Sequence, residues 1–337
     1  MEIKRKDVIQ IIISLGLGLF VFYLVYKQLD FDEMAIIAKE AKWSFIITPI
    51  LLCLFSSWLR ALRWNMLIEP LGNKPMRKNS FVAVLFGYFV NHIFPRAGEV
   101  ARCGVLSKYE NQKFSSLVGT VITERIFDLI VTAVIVCTTI IIEWDVFSHV
   151  LSNTNLGERL FSIATNPALI AVAFAAVLIC FLIRKKIKNN SLYKRVRGFI
   201  VGLIKGLKSF VNVKNKPLFL FYSFFIFFVY FLMLYTSFWL FDFTAGLSYG
   251  AGLVTYVFGA LGMIAPVQGG IGTYEFMTIQ ALGLYGISAS HAGIFALLSH
   301  LVEIIVNTVA GGLGFLLLPW MNRKTNRQDT SEPKPSI

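Results

Sequence analysis

Over residues 218–241 the chain runs without a single Lys, Arg, Asp or Glu. As an α-helix such a stretch rises about 36 Å, more than the roughly 30 Å hydrocarbon core of a bilayer. A helix apolar on every side has no face to turn toward water, so it must be covered by lipid or by protein. The pattern recurs, and full spans are expected at 8–26, 43–59, 117–142, 168–183, 218–241 and 292–318. Composition agrees: 15% of residues are charged and 56% hydrophobic, whereas soluble domains carry about 25% charged residues. The expected fold class is all-α, a polytopic membrane helix bundle filling residues 1–320. The polar residues 321–337, with Pro333 and Pro335, read as a disordered tail.

Lys4, Arg5 and Lys6 precede the first span as in a signal peptide. The apolar run is too long for one, and no small-residue cleavage site follows, so the segment is expected to stay as an anchor. The net charge of +13 comes from loops and does not indicate nucleic-acid binding. Residues 184–216 hold eleven Lys or Arg and no acid, while 143–167 hold Glu143, Asp145 and Glu158 against Arg159. By the positive-inside rule the basic loop and both termini are cytoplasmic, in a bacterial-type inner membrane. The six tryptophans, at 43, 58, 64, 144, 239 and 320, fall near span ends and read as interfacial markers. Cys53, Cys137 and Cys180 lie in apolar runs and Cys103 in a basic loop, which suggests neither disulfides nor a metal site.

Two apolar runs are too short and too interrupted to be simple spans. Residues 81–94 contain Gly87, Asn91 and His92 and stop at Pro95. Residues 251–264 break at Pro266-Val-Gln-Gly-Gly-Ile-Gly-Thr and resume over 274–284. Each is read as re-entrant, the first from the cytoplasm and the second from outside. Each lies between two full spans, so 43–142 and 218–318 share one plan in opposite orientations. Broken segments at matching places in two inverted halves mark a mid-membrane transport site. Between the halves, 190–212 reads as a basic amphipathic helix on the anionic inner leaflet.

Ionisable groups at membrane depth cost about 2.5 to 3.5 kcal/mol on insertion scales, so they usually face protein or water. Glu124, Arg125 and Asp128 open the span after the first break, with Arg125 reaching Asp128 at i, i+3. They form either an interfacial pair that orients the span or the charged wall of a cavity. His300 and Glu303 repeat that spacing in the last span, where His300 can titrate near neutral pH. Pro95-Arg96-Ala97-Gly98-Glu99-Val100-Ala101-Arg102 places two guanidiniums beside a chain break, suited to phosphate or to positive-inside anchoring. In Gly269-Gly270-Ile271-Gly272-Thr273 the glycines allow tight backbone or close helix packing. Thr273 is expected to cap a helix starting at Tyr274, exposing N–H groups to an anion, with Glu275 following. His-Glu-x-x-His, Walker A, Gly-x-Ser-x-Gly and Cys-x-x-Cys motifs do not occur, and no cofactor or metal is expected.

Arg60-Ala-Leu-Arg63-Trp64, Asn91 to Pro95 with Gly98-Glu99 and Arg102, Glu124-Arg125 with Asp128, and Pro266 to Glu275 occur in the order that resembles the lysylphosphatidylglycerol synthase transmembrane family. Its best-known members are the multiple peptide resistance factors, in which a flippase-like module precedes a soluble aminoacyl transferase domain. The likeness spans roughly residues 30–319. It implies a stand-alone module that moves a lipid between leaflets without synthase activity. One departure stands out: where the resemblance implies an Arg in the last span, this chain has His300.

The leading expectation is a lipid translocator, not an enzyme, in which Arg96, Arg102 and Arg125 receive a phosphate. Its partners would be membrane lipids with anionic head groups, with a homo-oligomer also possible. Two alternatives belong to other classes. One is a membrane-embedded transferase using Glu99 or Asp128 as base; the other is a non-transporting subunit whose basic helix recruits a partner.

Overall fold

Within hydrocarbon, backbone N–H and C=O groups must be satisfied inside the chain, and a helix does so locally, so each apolar run is helical. The computed structural model describes residues 5–27, 29–72, 74–153 and 208–323, which contain helices and no strand. In chain order these are α1 (Arg5–Tyr26), α2 (Phe31–Lys39), α3 (Ile47–Ile68), α4 (Arg77–Ile93), α5 (Gly98–Tyr109), α6 (Phe114–Ile142), α7 (Trp144–Asn153), α8 (Lys216–Ser237), α9 (Asp242–Ala245), α10 (Tyr249–Gly262), α11 (Thr273–Gly283) and α12 (Ala289–Met321). Asp30, Asn215, Ser248 and Ser288 cap α2, α8, α10 and α12 by accepting from free N–H groups of the first turn. Four segments, Trp43–Leu71, Phe114–Ile142, Lys216–Leu240 and Ala289–Met321, are long and apolar enough to cross a membrane.

The expected span at 168–183, most of the helix expected at 190–212 and tail residues 324–337 lie outside the described residues. Three boundaries differ from expectation. The second span runs on to Ile68 instead of stopping at Leu59, because the guanidiniums of Arg60 and Arg63 are neutralised within the protein. Lys208–Asn212 is a 3-10 turn whose Phe210 packs on Phe127 and Phe219, so these residues are not part of a surface helix. At the start of the polar tail, Asn322 is buried and exchanges hydrogen bonds with Asn79, so the packed structure extends past residue 320.

The repeat expected from the breaks is present: α3, α4–α5 and α6 match α8, α10–α11 and α12. Along α3 and α8 and the turns that flank them, one residue number rises as the other falls, from Phe45 against Trp239 through Arg60 and Tyr230 to Arg63 and Ser223. The matched spans are therefore antiparallel, and the halves are inverted. Lys74, Arg77, Lys78, Lys108, Lys113 and Lys214 gather at one end of the bundle, with Glu69 and Glu110 among them. Asp30, Asp32, Glu33, Glu143, Asp145 and Asp242 gather at the other, with Lys27, Lys39 and Lys42 among them.

Trp43, Trp144, Trp239 and Trp320 are exposed near the ends of the bundle, as expected. Trp64 is not an interfacial marker: it is fully buried, donating to Thr120 Oγ1 at 2.8 Å. Cys103 likewise sits buried inside α5 and not in a loop.

Candidate functional site

Phe94 precedes a proline, which disfavours helical backbone, and α4 ends at Ile93. The arms of each hairpin close on glycines. A Cβ on Gly98 would lie 2.1 Å from Gly87 O, and one on Gly262 would lie 2.5 Å from Thr273 O. The two tips then meet and cap one another. Arg96 donates to Ile264 O at 2.8 Å, and Gln268 Nε2 donates to Ile93 O at 2.7 Å. Each tip thus supplies a donor to a carbonyl at the far tip, where the helix leaves it without an internal partner. Arg96 holds this position with φ 60, a conformation that costs a non-glycine residue about 1 to 3 kcal/mol.

Beside the first tip lies a cluster of buried ions. Glu124 is fully buried between Arg102, which it contacts directly, and Arg63 at 3.3 Å. Asp128 meets Arg63 at 2.7 Å, Arg125 at 3.5 Å and Arg60 at 3.7 Å. Arg125 also faces Glu99 at 3.6 Å. Four guanidiniums thus face three carboxylates, leaving one positive charge in excess. Arg102 is not free to take a phosphate as expected. It is buried, bound to Glu124, and lies over the Trp64 ring at 4.5 Å. Asp128, saturated by cations, is a poor candidate for a general base.

The second tip departs from the expected anion site. Thr273 does not cap the helix: α11 begins at Thr273 after Gly272, and Thr273 Oγ1 donates back to Gly262 O at 2.8 Å. The helix N-terminus is filled by its own carboxylate, with Glu275 Oε2 accepting from Gly272 N–H at 2.6 Å. His300 Nδ1 stands 2.7 Å from Glu275 Oε1, and its Nε2 stands 2.9 Å from Gly269 O. The glycines are steric requirements. Gly269 and Gly272 have φ of 57° and 85°; a Cβ on the first would strike His92, and one on the second would strike the α1 backbone at Gly18 and Phe22. Gly270, also at positive φ, leaves room for Met263. Tyr26 of α1 donates to Gly293 O of α12 at 3.1 Å, packing α1 over this side.

The two seams that relate the halves are unequal. Gly311 lets α12 close on α4, since a Cβ there would lie 2.4 Å from Leu85 O. Its counterpart seam, between α6 and α10, is shut at the acidic end, where the Glu143 carboxylate occupies the space beside Gly250. Farther along, it holds a cavity of about 740 Å³ between the tips. Arg60, Arg96, Glu99, Arg125, Gly269, Gly270 and Glu303 line this cavity. Glu124, Gly272, Thr273, Glu275 and His300 are not among its lining residues. The apolar side chains of Val100, Ile122, Leu129, Met263 and Ile264 also line it and are exposed on the outer surface.

The span expected at 43–59 leaves Arg60 and Arg63 beyond its end, yet both are buried in the ion cluster. The available signal was their i, i+3 spacing and the apolar Leu62, Met66, Leu67 and Ile68 that continue the span. The crossed donor Gln268, inside the second break, and the lining residues Tyr88, His92 and Asn307 also went unselected, since an uncharged polar side chain carries no sequence signal of what it will face.

The model of the family described as the lysylphosphatidylglycerol synthase TM region matches residues 11–311. The UPF0104 membrane protein MJ1595 of Methanocaldococcus jannaschii is 24% identical over 94% of this chain and 97% of its own length. A second protein of that organism, UPF0104 membrane protein MJ1078, is 25% identical over 68% of this chain and 94% of its own. The UPF0104 membrane protein PH1989 of Pyrococcus horikoshii is 24% identical over 80% and 85%. No solved structure matches this chain. With 11–311 matched, the chain belongs to the lysylphosphatidylglycerol synthase TM-region family.

Proposed function

We propose that this membrane protein moves a phosphate-bearing lipid between leaflets of a bacterial-type cytoplasmic membrane, its basic end facing the cytoplasm. One observation carries the reading: the tips of two inverted broken hairpins meet around a cavity whose buried ion cluster has one positive charge in excess. Arg125, with 43% of its side chain exposed, is the most open guanidinium of that cluster. Arg96 and Arg60 line the same space. A phosphodiester there balances the excess charge through charge-assisted hydrogen bonds. The apolar rim at Val100, Ile122, Leu129, Met263 and Ile264 lets acyl chains remain in lipid while the head group passes. Nothing covalent happens on this reading, and the buried carboxylates serve to hold arginines.

Purified protein in vesicles containing fluorescent phosphatidylglycerol or phosphatidylethanolamine should speed exchange between leaflets, read by quenching of the outer leaflet with dithionite. Arg125→Gln should slow it at least about tenfold, the scale of one charged hydrogen bond. Vesicles in which neither lipid exchanges faster than in protein-free controls would sink the reading.

A further inference from the structure

A carbonyl oxygen only accepts. The 2.9 Å contact between His300 Nε2 and Gly269 O therefore places a proton on Nε2. On the other side of the ring, Nδ1 lies 2.7 Å from Glu275 Oε1, while Oε2 of that carboxylate already accepts from Gly272 N–H. A bare Nδ1 facing a bare carboxylate oxygen at that distance is repulsive, so a second proton lies between them. Both residues are almost fully buried. When the two residues share only one proton, one contact is kept and the other must be abandoned. Gly269 is the residue whose hold is at stake, and it lines the cavity against His92.

We propose that Glu275 and His300 form a proton-binding site whose occupancy latches the second hairpin tip, so that lipid movement is linked to a proton. The proton site stands on hydrogen-bond geometry alone; only the linkage rests on the lipid reading above. When the proton between Nδ1 and Oε1 leaves for cavity water, the pair goes from neutral to one net negative charge. The ring then keeps its remaining proton for either Glu275 or Gly269. Rebinding a proton restores both bonds, and no other reactant takes part. The ionisable groups around the pair are Tyr274 of α11, whose ring is 4.5 Å from that of His300, Glu303 one turn further along α12, His92 of α4 across Gly269, and Tyr26 of α1. Glu303 and His92 line the cavity and give the proton its way out.

Glu275→Gln is the decisive variant. Its amide can accept from Gly272 N–H and donate to a neutral Nδ1, keeping every bond without a titrating proton. Hydrogen–deuterium exchange of the full chain in nanodiscs, from about pH 5 to pH 9 and corrected at each pH against an unstructured peptide, reads protection over residues 265–273. Wild type should lose roughly tenfold in protection as pH rises, on the scale of one hydrogen bond. Glu275→Gln should stay protected throughout, and His300→Ala should be poorly protected throughout. Coincident profiles for wild type and Glu275→Gln would overturn the proton site, and if Glu275→Gln does not fold, coincidence of wild type with His300→Ala does the same. Vesicle assays then separate the two claims. A pH step in exchange with no lipid movement defeats the lipid reading alone, whereas lipid movement with coincident exchange profiles defeats the proton site alone.

Discussion

Removing Glu124 should harm the protein far more than removing Arg63, although the two touch. Glu124 is the carboxylate between Arg63 and Arg102, with both side chains of the Arg63 pair wholly inaccessible. Glu124→Ala adds to an existing excess of positive charge and strands two guanidiniums in a low-dielectric interior. Breaking a buried pair from one side costs about 3 to 5 kcal/mol. Arg63→Met has nearly the opposite effect on charge. Glu124 keeps Arg102, Asp128 keeps Arg60 and Arg125, and the cluster becomes neutral. What is lost is hydrogen bonding to Glu124 and Ser223 and the ion pair with Asp128, about 1 to 2 kcal/mol net. At roughly 2 to 4 °C per kcal/mol, Glu124→Ala should lower the unfolding midpoint in detergent micelles by about 6 to 20 °C, and Arg63→Met by about 2 to 8 °C. Static light scattering during a thermal ramp, with tryptophan fluorescence alongside, supplies the midpoints. Equal midpoints for the two variants would refute the charge-excess argument and make the cluster a set of independent contacts.

Three further outcomes are expected. Gly311→Ala presses a Cβ to 2.4 Å from Leu85 O, a backbone atom that cannot swing aside, and should destabilise by about 1 to 3 kcal/mol; Gly104→Ala, with open space around it, should be neutral or stabilising by up to about 1 kcal/mol in the same melt. Burial raises the Glu110 carboxyl above its ordinary value, against the donors Asn79 and Met76 N–H. An acid raised in the fold favours the folded state when protonated, so stability should be greatest below the unfolded value of about 4.3 and decline as pH rises to the raised folded value. Glu110→Gln should remove that decline, so midpoints of variant and wild type that stay parallel from acid to neutral pH would contradict it. Gln268→Leu leaves Ile93 O without its donor and should speed amide exchange at the first tip without changing exchange in α3, read by mass spectrometry.

The spans were legible because burying apolar surface in lipid needs no particular partner; hydropathy alone locates α6, α8 and α12. The breaks were legible too, because Pro95, Pro266 and the glycines near them act on local backbone. Partner choice was not. The sequence pairs His300 with Glu303 at i, i+3, yet its partner is Glu275, brought to it by the packing of α11 on α12. Arg102 reads as an exposed guanidinium near a chain break, yet α5 folds back on α4 and buries it over Trp64. Thr273 has the right chemistry for a cap, but the helix starts one residue earlier, after Gly272, and the Thr273 hydroxyl donates to Gly262 O across the hairpin. Local rules place helices and turns; which charges neutralise one another depends on helix crossings with no signature in the chain itself.

The crossed bonds from Arg96 to Ile264 O and from Gln268 to Ile93 O bear on how such a molecule is assembled. Half of this chain, inserted alone, would hold a helix-end carbonyl in hydrocarbon without a donor, at several kcal/mol, and would carry the matching donor with nothing to give it to. A second copy inserted upside down cures both faults at once. The two halves are thus related as the protomers of an antiparallel dimer, joined by a connector. Each half therefore completes the other's helix end, and neither tip is satisfied without its counterpart.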